Sequence, residues 1–271
     1  MTELERICRA RREDGTRPLV PYATVGFPDE RTSLDLLAGC GARGCRVVEV
    51  GVPFSDPVAD GPVIQHSSQR ALERGMTLTR AMAMVSELSQ DGLAPVLMTY
   101  LNPILRLGVD GFAVAAARSG CTGVIVPDLS LEESPELRLA LAAEGLALVD
   151  LAAPTSPDER LARIARPSAG FLYLVAVAGV TGTRSARAAD LAAFTARVRQ
   201  HTDTPLYVGF GIDGPVRARE AADSADGVII GSALMRCFLD QSDRDESLDR
   251  ALRLVDDVLA ALDSNLRRTA S

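Results

Sequence analysis

The sequence predicts an α/β protein that folds as a single (β/α)8 TIM barrel with an extra helix at its N-terminus. Short apolar runs alternate with segments of helical periodicity along the chain, as in repeated βα units around a parallel sheet. Eight such runs are present, the number of strands in this barrel. The first run is followed by VGFPDE rather than a GxGxxG turn, which argues against a doubly wound nucleotide-binding sheet.

The predicted strands are apolar runs bounded by turn-forming residues: 18–24, 46–50, 95–100, 122–126, 146–151, 171–175, 205–209 and 226–230. The segments with clear helical periodicity are Ser33–Ala42, Thr77–Leu88, Gly111–Arg118 and Ala188–Arg199. Glu3–Arg12 is predicted to form the extra helix, which ends at Gly15. No linker, repeat or low-complexity segment interrupts the chain, so one TIM-barrel domain is predicted for residues 1–271.

Composition excludes several classes of function. The 271 residues carry a net charge of −7, so no nucleic-acid partner is expected. No apolar run is long enough to cross a membrane, and the charged start MTELERICRARRED does not resemble a signal peptide. The five cysteines form no CxxC pair, as expected for reduced thiols in the cytoplasm. The chain has no lysine and two histidines, so a Schiff base is excluded and neither a metal site nor a cofactor is predicted.

Two acids near the end of the second strand are candidates for catalysis. Glu49 interrupts the apolar run VVEVGV, and Asp60 lies in the Pro- and Gly-rich loop that follows. Active sites of these barrels lie at the carboxyl ends of the strands, and a carboxyl enclosed by valines should have a raised pKa. The alternatives are a structural ion pair for Glu49 and a turn or cap for Asp60. Asp128, after the fourth strand, is expected to cap the next helical region.

The last three strand ends predict a phosphate site. The segments AGVTGT, GFGI and GSAL place Gly182, Gly211, Gly231 and Ser232 where helices are expected to begin. Backbone N–H groups at a helix N-terminus attract an anion, and glycine allows that anion to approach closely. Many barrels bind phosphate with the loops after strands 7 and 8. The alternative is that these are ordinary βα turns.

Together these segments resemble the tryptophan synthase alpha chain family, from about Pro18 to about Leu234. The most specific segment is GVPFSDPVADGP after Glu-Val. The matching segments, in the family's order, are PYATVGFP, VEVGVPFSDPVADGPVIQ, LMTYLNPIL, VIVPDLSLEES, YLVAVAGVTGTR, GFGI and ADGVIIGSAL.

This resemblance implies retro-aldol cleavage of indole-3-glycerol phosphate to indole and glyceraldehyde 3-phosphate, in tryptophan biosynthesis. It implies that Glu49 is the general acid–base and that Asp60 engages the indole N–H. The substrate-binding residues that it implies are Tyr22, Tyr100, Tyr173, Thr181, Gly182, Phe210, Gly211, Gly231 and Ser232.

The resemblance also implies a partner, a beta chain that receives the indole in an alpha2beta2 assembly. The loop Pro53–Pro57 and the segment around Asn102–Pro103 are expected to face it.

The residues support the same chemistry independently, because without lysine the electron sink for carbon–carbon cleavage must lie in the substrate, and a protonated indole is such a sink. Two other functions stay open: a stand-alone lyase that releases free indole, and a non-catalytic binding subunit. Retention of both Glu49 and Asp60 argues against the binding subunit. Ala176 and Val177 depart from common family residues and could weaken closure of the loop after strand 6.

Overall fold

The computed structural model describes residues 1–175, 184–209, 211–239 and 243–269. In these residues nine parallel strands form one sheet. The strands are β1 (Leu19–Thr24), β2 (Val47–Gly51), β3 (Ala94–Met98), β4 (Gly123–Ile125), β5 (Ala147–Val149), β6 (Leu151–Ala152), β7 (Leu172–Val175), β8 (Leu206–Gly209) and β9 (Gly227–Ile230). Their order in the sheet is β5-β4-β3-β2-β1-β9-β8-β7-β6.

The predicted fifth strand, 146–151, is divided in two at Asp150. β5 pairs with β4, whereas β6 pairs with β7, so the two ends of the ladder meet at this one residue. The sheet therefore closes into a nearly complete barrel with eight strand positions, and the predicted (β/α)8 fold is confirmed. The prediction of one uninterrupted strand is wrong because the chain changes its ladder partner here. Arg138 Nη2 lies 2.7 Å from Asp150 Oδ1 at this point.

Twelve helices accompany the strands in the described residues. They are α1 (Glu3–Glu13), α2 (Glu30–Ala42), α3 (Pro62–Glu73), α4 (Leu78–Gln90), α5 (Leu101–Leu107), α6 (Val109–Arg118), α7 (Ser134–Ala143), α8 (Asp158–Ala165), α9 (Arg184–Arg199), α10 (Pro215–Ala222), α11 (Ser232–Arg236) and α12 (Arg244–Thr269). All of the predicted helical segments lie within or within one residue of these helices. None of the helices that the structure describes has the length and apolarity needed to span a membrane.

Local sequence explains where several helices begin and end. The side chains of Thr2, Asp29 and Thr77 each accept a hydrogen bond from the backbone N–H three residues later, at the starts of α1, α2 and α4. Gly15 follows α1 with φ 71°, a left-handed conformation that glycine adopts without steric cost. The predicted extra helix and its glycine stop are therefore confirmed.

Helix α1 covers the amino end of the barrel. Its buried face consists of Leu4, Ile7 and Cys8. Leu4 packs against Gly123 at the start of β4 and against Gly170 just before β7, and a Cβ at either glycine would lie 2.6 Å from Leu4 Cδ2. Burying one leucine side chain contributes about 1.5–3 kcal/mol. This end of the barrel is thus closed by apolar packing, which leaves the carboxyl ends of the strands for the site.

Inside the barrel, three tyrosine rings lie over glycines of the next strand. A Cβ on each of these glycines would lie within 2.7 Å of the ring or its hydroxyl, so glycine is required for the ring to fit. The pairs are Tyr22 over Gly51, Tyr173 over Gly209 and Tyr207 over Gly227. Two of these tyrosines, Tyr22 and Tyr173, lie close to Glu49 and Asp60.

Candidate active site

Glu49 lies in the middle of β2 with its side chain 1% exposed. Its backbone neighbours in the ladder are Tyr22 on β1 and Val96 on β3. Glu49 Oε2 is buried and has no hydrogen-bond partner in the part of the chain that the structure describes. Burial, and then the negative charge of Asp60, raise the pKa of the Glu49 carboxyl from 4.5 to about 8. A carboxyl in this state carries a proton near neutral pH.

Asp60 lies in the loop between β2 and α3. The loop is held by backbone contacts, since the Asp60 N–H donates to Pro57 O at 3.0 Å. The side-chain amide of Gln65, on α3, donates to Asp60 O at 2.9 Å. Burial raises the pKa of the Asp60 carboxyl from 3.8 to about 6, and the hydrogen bond from Tyr100 opposes this rise. Asp60 is therefore ionised near neutral pH while Glu49 is not.

Tyr100 connects this loop to the end of β3. Its hydroxyl donates to Asp60 Oδ2 at 3.0 Å and accepts from the Ala59 N–H at 3.2 Å. Its ring stacks on Phe54, with centroids 4.8 Å apart and an angle of 21° between the planes. Tyr100 was predicted to bind substrate, and in this structure its contacts orient the carboxylate of Asp60.

A cavity of about 990 Å³ opens at the carboxyl ends of the strands. Both acids line it, as do five of the predicted substrate-binding residues: Tyr22, Tyr173, Gly211, Gly231 and Ser232. Apolar side chains complete the wall near the acids, among them Ile64, Met98 and Ile229. The volume is at the upper end of the range for small-molecule sites, which combine an apolar lining with a few convergent polar groups.

The predicted phosphate end of the cavity is described in part. Gly231 immediately precedes α11, and Gly211 has φ +73°, a conformation that favours glycine. Ser232, the first residue of α11, lines the same cavity. Thr181, Gly182 and Phe210 lie outside the described residues, as do Ala176 and Val177 with the loop closure expected of them.

Asp128 acts differently from the prediction. Its Oδ1 accepts a hydrogen bond from the Leu101 N–H at 2.9 Å, at the first residue of α5. The side chain therefore satisfies an N-terminal backbone donor of α5 rather than capping α7, the helix that follows it. The barrel places the ends of β3 and β4 side by side, which brings Asp128 to the start of α5.

Several cavity residues had no signal in the sequence. Arg197, Arg217 and Arg236 line the cavity from α9, α10 and α11. Arg197 is held by carbonyl groups and by Asp158, so it supports the wall. Because every basic residue in the chain is arginine, composition alone could not select these three from the other 26.

The comparisons with known proteins decide the family. A model of the tryptophan synthase alpha chain matches residues 9–262. The chain belongs to this family. The tryptophan synthase alpha chain of Chloroflexus aurantiacus is 46% identical over 226 residues, which are 83% of this chain and 85% of that one. The alpha chain of Acidiphilium cryptum is 43% identical over 265 residues, 96% of each chain.

Solved structures of tryptophan synthase have the same fold. Tryptophan synthase from Mycobacterium tuberculosis matches with a TM-score of 0.87 at 36% identity, covering 96% of this chain and 98% of that one. The alpha subunit from Legionella pneumophila matches with a TM-score of 0.89 at 31% identity, covering 97% and 99%. As a tryptophan synthase alpha chain, the protein is a lyase of tryptophan biosynthesis that cleaves indole-3-glycerol phosphate and works with a beta chain. None of these relatives favours the stand-alone lyase.

Proposed function

We propose that Glu49 and Asp60 carry out the cleavage of indole-3-glycerol phosphate as general acid–base and electrostatic partner. One observation carries this assignment: a fully buried carboxyl, with an unpartnered oxygen, faces the same cavity as a second carboxyl. No arginine pairs with Glu49 among the described residues, so a structural ion pair does not explain its burial. A carboxyl held in this way is poised for proton transfer.

The two raised pKa values give the carboxyls different tasks. Glu49, with a pKa of about 8, holds a proton that it transfers to C3 of the indole ring. The ring becomes a cation, and Asp60, with a pKa of about 6, accepts the indole N–H and stabilises that charge.

The same carboxyl then completes the reaction. Glu49, now ionised, takes the proton of the side-chain hydroxyl, and the carbon–carbon bond breaks as a carbonyl forms. The bonding electrons return to the ring. The products are indole and glyceraldehyde 3-phosphate, and Glu49 has regained its proton.

We propose that the substrate phosphate is held at the end of the cavity formed by Gly211, Gly231 and Ser232. Backbone N–H groups at the start of α11 and the Ser232 hydroxyl suit a phosphate, and glycine lets it approach. Thr181, Gly182 and Phe210, which lie outside the described residues, remain predicted contacts on the strength of the family resemblance.

We propose that the beta chain docks at the carboxyl face beside this cavity. Val58 in the β2–α3 loop is 82% exposed, and Leu105 and Leu107 on α5 are 58% and 49% exposed. These apolar side chains lie next to the predicted contact segments Pro53–Pro57 and Asn102–Pro103. Exposed apolar groups grouped on one face are typical of a protein interface.

We also propose that residues 1–271 form one TIM-barrel domain that works in the cytoplasm. A single apolar core that extends from Leu4 to Leu262 supports one domain. All five cysteines are free, four of them buried, which supports a reducing compartment.

The first test of the acid–base assignment is Glu49→Gln, a near-isosteric change. We expect turnover to fall by at least 100-fold, the lower range for a lost general acid–base. Binding of glyceraldehyde 3-phosphate, measured by calorimetry, should be retained. The matched control is Glu73→Gln on the exposed face of α3, which should keep wild-type turnover. Wild-type turnover in Glu49→Gln would show the assignment to be wrong.

The second test measures indole release by the purified chain, alone and with a tryptophan synthase beta chain. Slow release that the beta chain accelerates strongly is expected for a subunit whose site is completed by its partner. Fast release at a rate that the beta chain does not change would instead identify a free-standing lyase. No release in either case would favour the binding subunit.

A further inference from the structure

Three buried hydroxyl groups form a hydrogen-bonded chain from the cavity wall to helix α3. Tyr22 Oη lies 3.0 Å from Thr24 Oγ1, two residues along β1. Thr24 Oγ1 lies 2.9 Å from Ser67 Oγ on α3. Ser67 Oγ donates to the backbone carbonyl of Ile64 at 2.9 Å. Thr24 and Ser67 are both completely buried, so no solvent competes for these bonds.

The carbonyl of Ile64 fixes which hydroxyl donates and which accepts in this series of hydrogen bonds. A carbonyl oxygen can only accept, so the single proton of Ser67 is used by Ile64. Ser67 must then accept from Thr24, and Thr24, whose one proton is now used, must accept from Tyr22. The Tyr22 hydroxyl therefore donates into the wall of the barrel.

The Tyr22 hydroxyl also lies beside Glu49. A Cβ at Gly51 would lie 2.3 Å from Tyr22 Oη, so the hydroxyl occupies the space over that glycine. Gly51 follows Glu49 by two residues on β2, and residues two apart face the same side of a strand. Both Tyr22 and Glu49 line the cavity. The two polar groups are thus neighbours on the inner face of the barrel.

We propose that Thr24 and Ser67 are positioning residues that draw the Tyr22 hydroxyl proton away from Glu49, so that Tyr22 offers only an acceptor to the cavity. A tyrosine that donated to Glu49 would stabilise its carboxylate and remove the proton needed for catalysis. The hydroxyl chain prevents this donation. The inference rests on the proposed role of Glu49 as general acid.

In the described part of the chain, three other titratable groups face Glu49: Asp60 from the β2–α3 loop, Tyr22 from β1 and Tyr173 from β7. After burial, the charge of Asp60 raises the pKa of the Glu49 carboxyl and so favours its protonated state. Burial above all raises the pKa of both tyrosine hydroxyls, so both stay neutral. The neighbour on β3 is the apolar Val96. Of these groups, Tyr22 is the one hydrogen-bonded to Thr24 and Ser67, so these two hydroxyls control whether its proton points toward Glu49.

The test is the pH profile of kcat for Thr24→Val, which keeps the shape of the side chain and removes the acceptor. The Tyr22 proton then turns toward Glu49 and lowers its pKa. We expect the alkaline limb of the profile to move to lower pH by about one unit, the effect of one hydrogen bond to a charged group. Ser67→Ala should move it in the same direction, because Thr24 then donates to Tyr22 and releases the tyrosine proton.

Removing the hydroxyl of Tyr22 separates this effect from a general disturbance. In the double variant Tyr22→Phe/Thr24→Val there is no tyrosine proton that could be donated to Glu49. The alkaline limb should therefore coincide with that of Tyr22→Phe alone. Thr122→Val is the matched control, since Thr122 is a buried barrel threonine that donates to Pro95 at the opposite end of the strands. Its profile should match the wild type.

Two outcomes would overturn the inference. One is an unchanged alkaline limb in both Thr24→Val and Ser67→Ala. The other is a shift that persists in the double variant. Either result, with turnover still lost in Glu49→Gln, would leave the role of Glu49 intact. Wild-type turnover in Glu49→Gln would instead remove the proposed function itself.

Discussion

Two acids of the barrel, the buried Glu49 that faces the cavity and the partly buried Asp226 at the amino end, have opposite surroundings. Asp226, just before β9, pairs with Arg199, lies 3.5 Å from Arg12 Nε and accepts from the Leu206 N–H at 2.8 Å. Glu49 has no cation among the described residues and one orphan oxygen. A paired acid fixes the ends of β8, β9 and α1. An unpaired acid costs stability, and its raised pKa is what proton transfer requires.

For the paired acid, the test is Asp226→Ala. It removes the carboxylate that two arginines and the Leu206 N–H share, so the free energy of unfolding should fall by about 1–3 kcal/mol. Urea unfolding measures this change. Turnover per folded molecule should stay near the wild-type value, because Asp226 lies away from the cavity.

The control for this variant is Asp256→Ala, which breaks the exposed pair with Arg43. Exposed pairs contribute about 1 kcal/mol or less, so the loss should be small. Equal losses of unfolding free energy in the two variants would contradict the conclusion that Asp226 stabilises the amino end of the barrel.

The second effect is a pH dependence of stability that belongs to Glu49. Its pKa is about 8 in the folded chain and near 4.5 in the unfolded chain. Between these values the unfolded state loses the proton first, so the free energy of unfolding falls as pH rises and is lowest above pH 8. The loss is on the order of 5 kcal/mol. Asp60 adds a loss in the same direction between about 3.8 and 6.

Glu49→Gln removes the Glu49 contribution. Urea unfolding at several pH values should give a flatter profile for the variant, which becomes more stable than the wild type above pH 8. Parallel profiles would mean that Glu49 is ionised in the folded chain. This prediction needs no substrate, so it tests the protonation state apart from activity.

The smallest effect concerns an anion at the carboxyl end. Ser232→Asp places a fixed negative charge in the proposed phosphate site, and we expect binding of glyceraldehyde 3-phosphate to weaken by about tenfold or more. Calorimetry measures the affinity. Gln90→Glu adds the same charge at the exposed end of α4 and should leave the affinity unchanged. Unaltered affinity in Ser232→Asp would place the phosphate elsewhere.

Much of the barrel and its two acids could be predicted because these signals are local. Continuous apolar runs mark strands, and one acid within such a run, as at Glu49, is conspicuous. The break at Asp150 left no such signal, because it depends on which strands lie on either side. The role of Asp128 and the chain from Tyr22 through Thr24 to Ser67 depend on groups that only the folded barrel brings together.

The four tyrosines of this chain also determine how it can be observed. The sequence has no tryptophan, and each tyrosine is at most 7% exposed. Three of the rings lie inside the barrel and the fourth, Tyr100, holds the loop of Asp60. The ultraviolet emission of the protein therefore comes from three rings in or near the site and from Tyr207, which lies beside Cys8 at the amino end, without an indole background. Bound or released indole emits at longer wavelengths than tyrosine, so the product can be followed optically in the unlabelled protein.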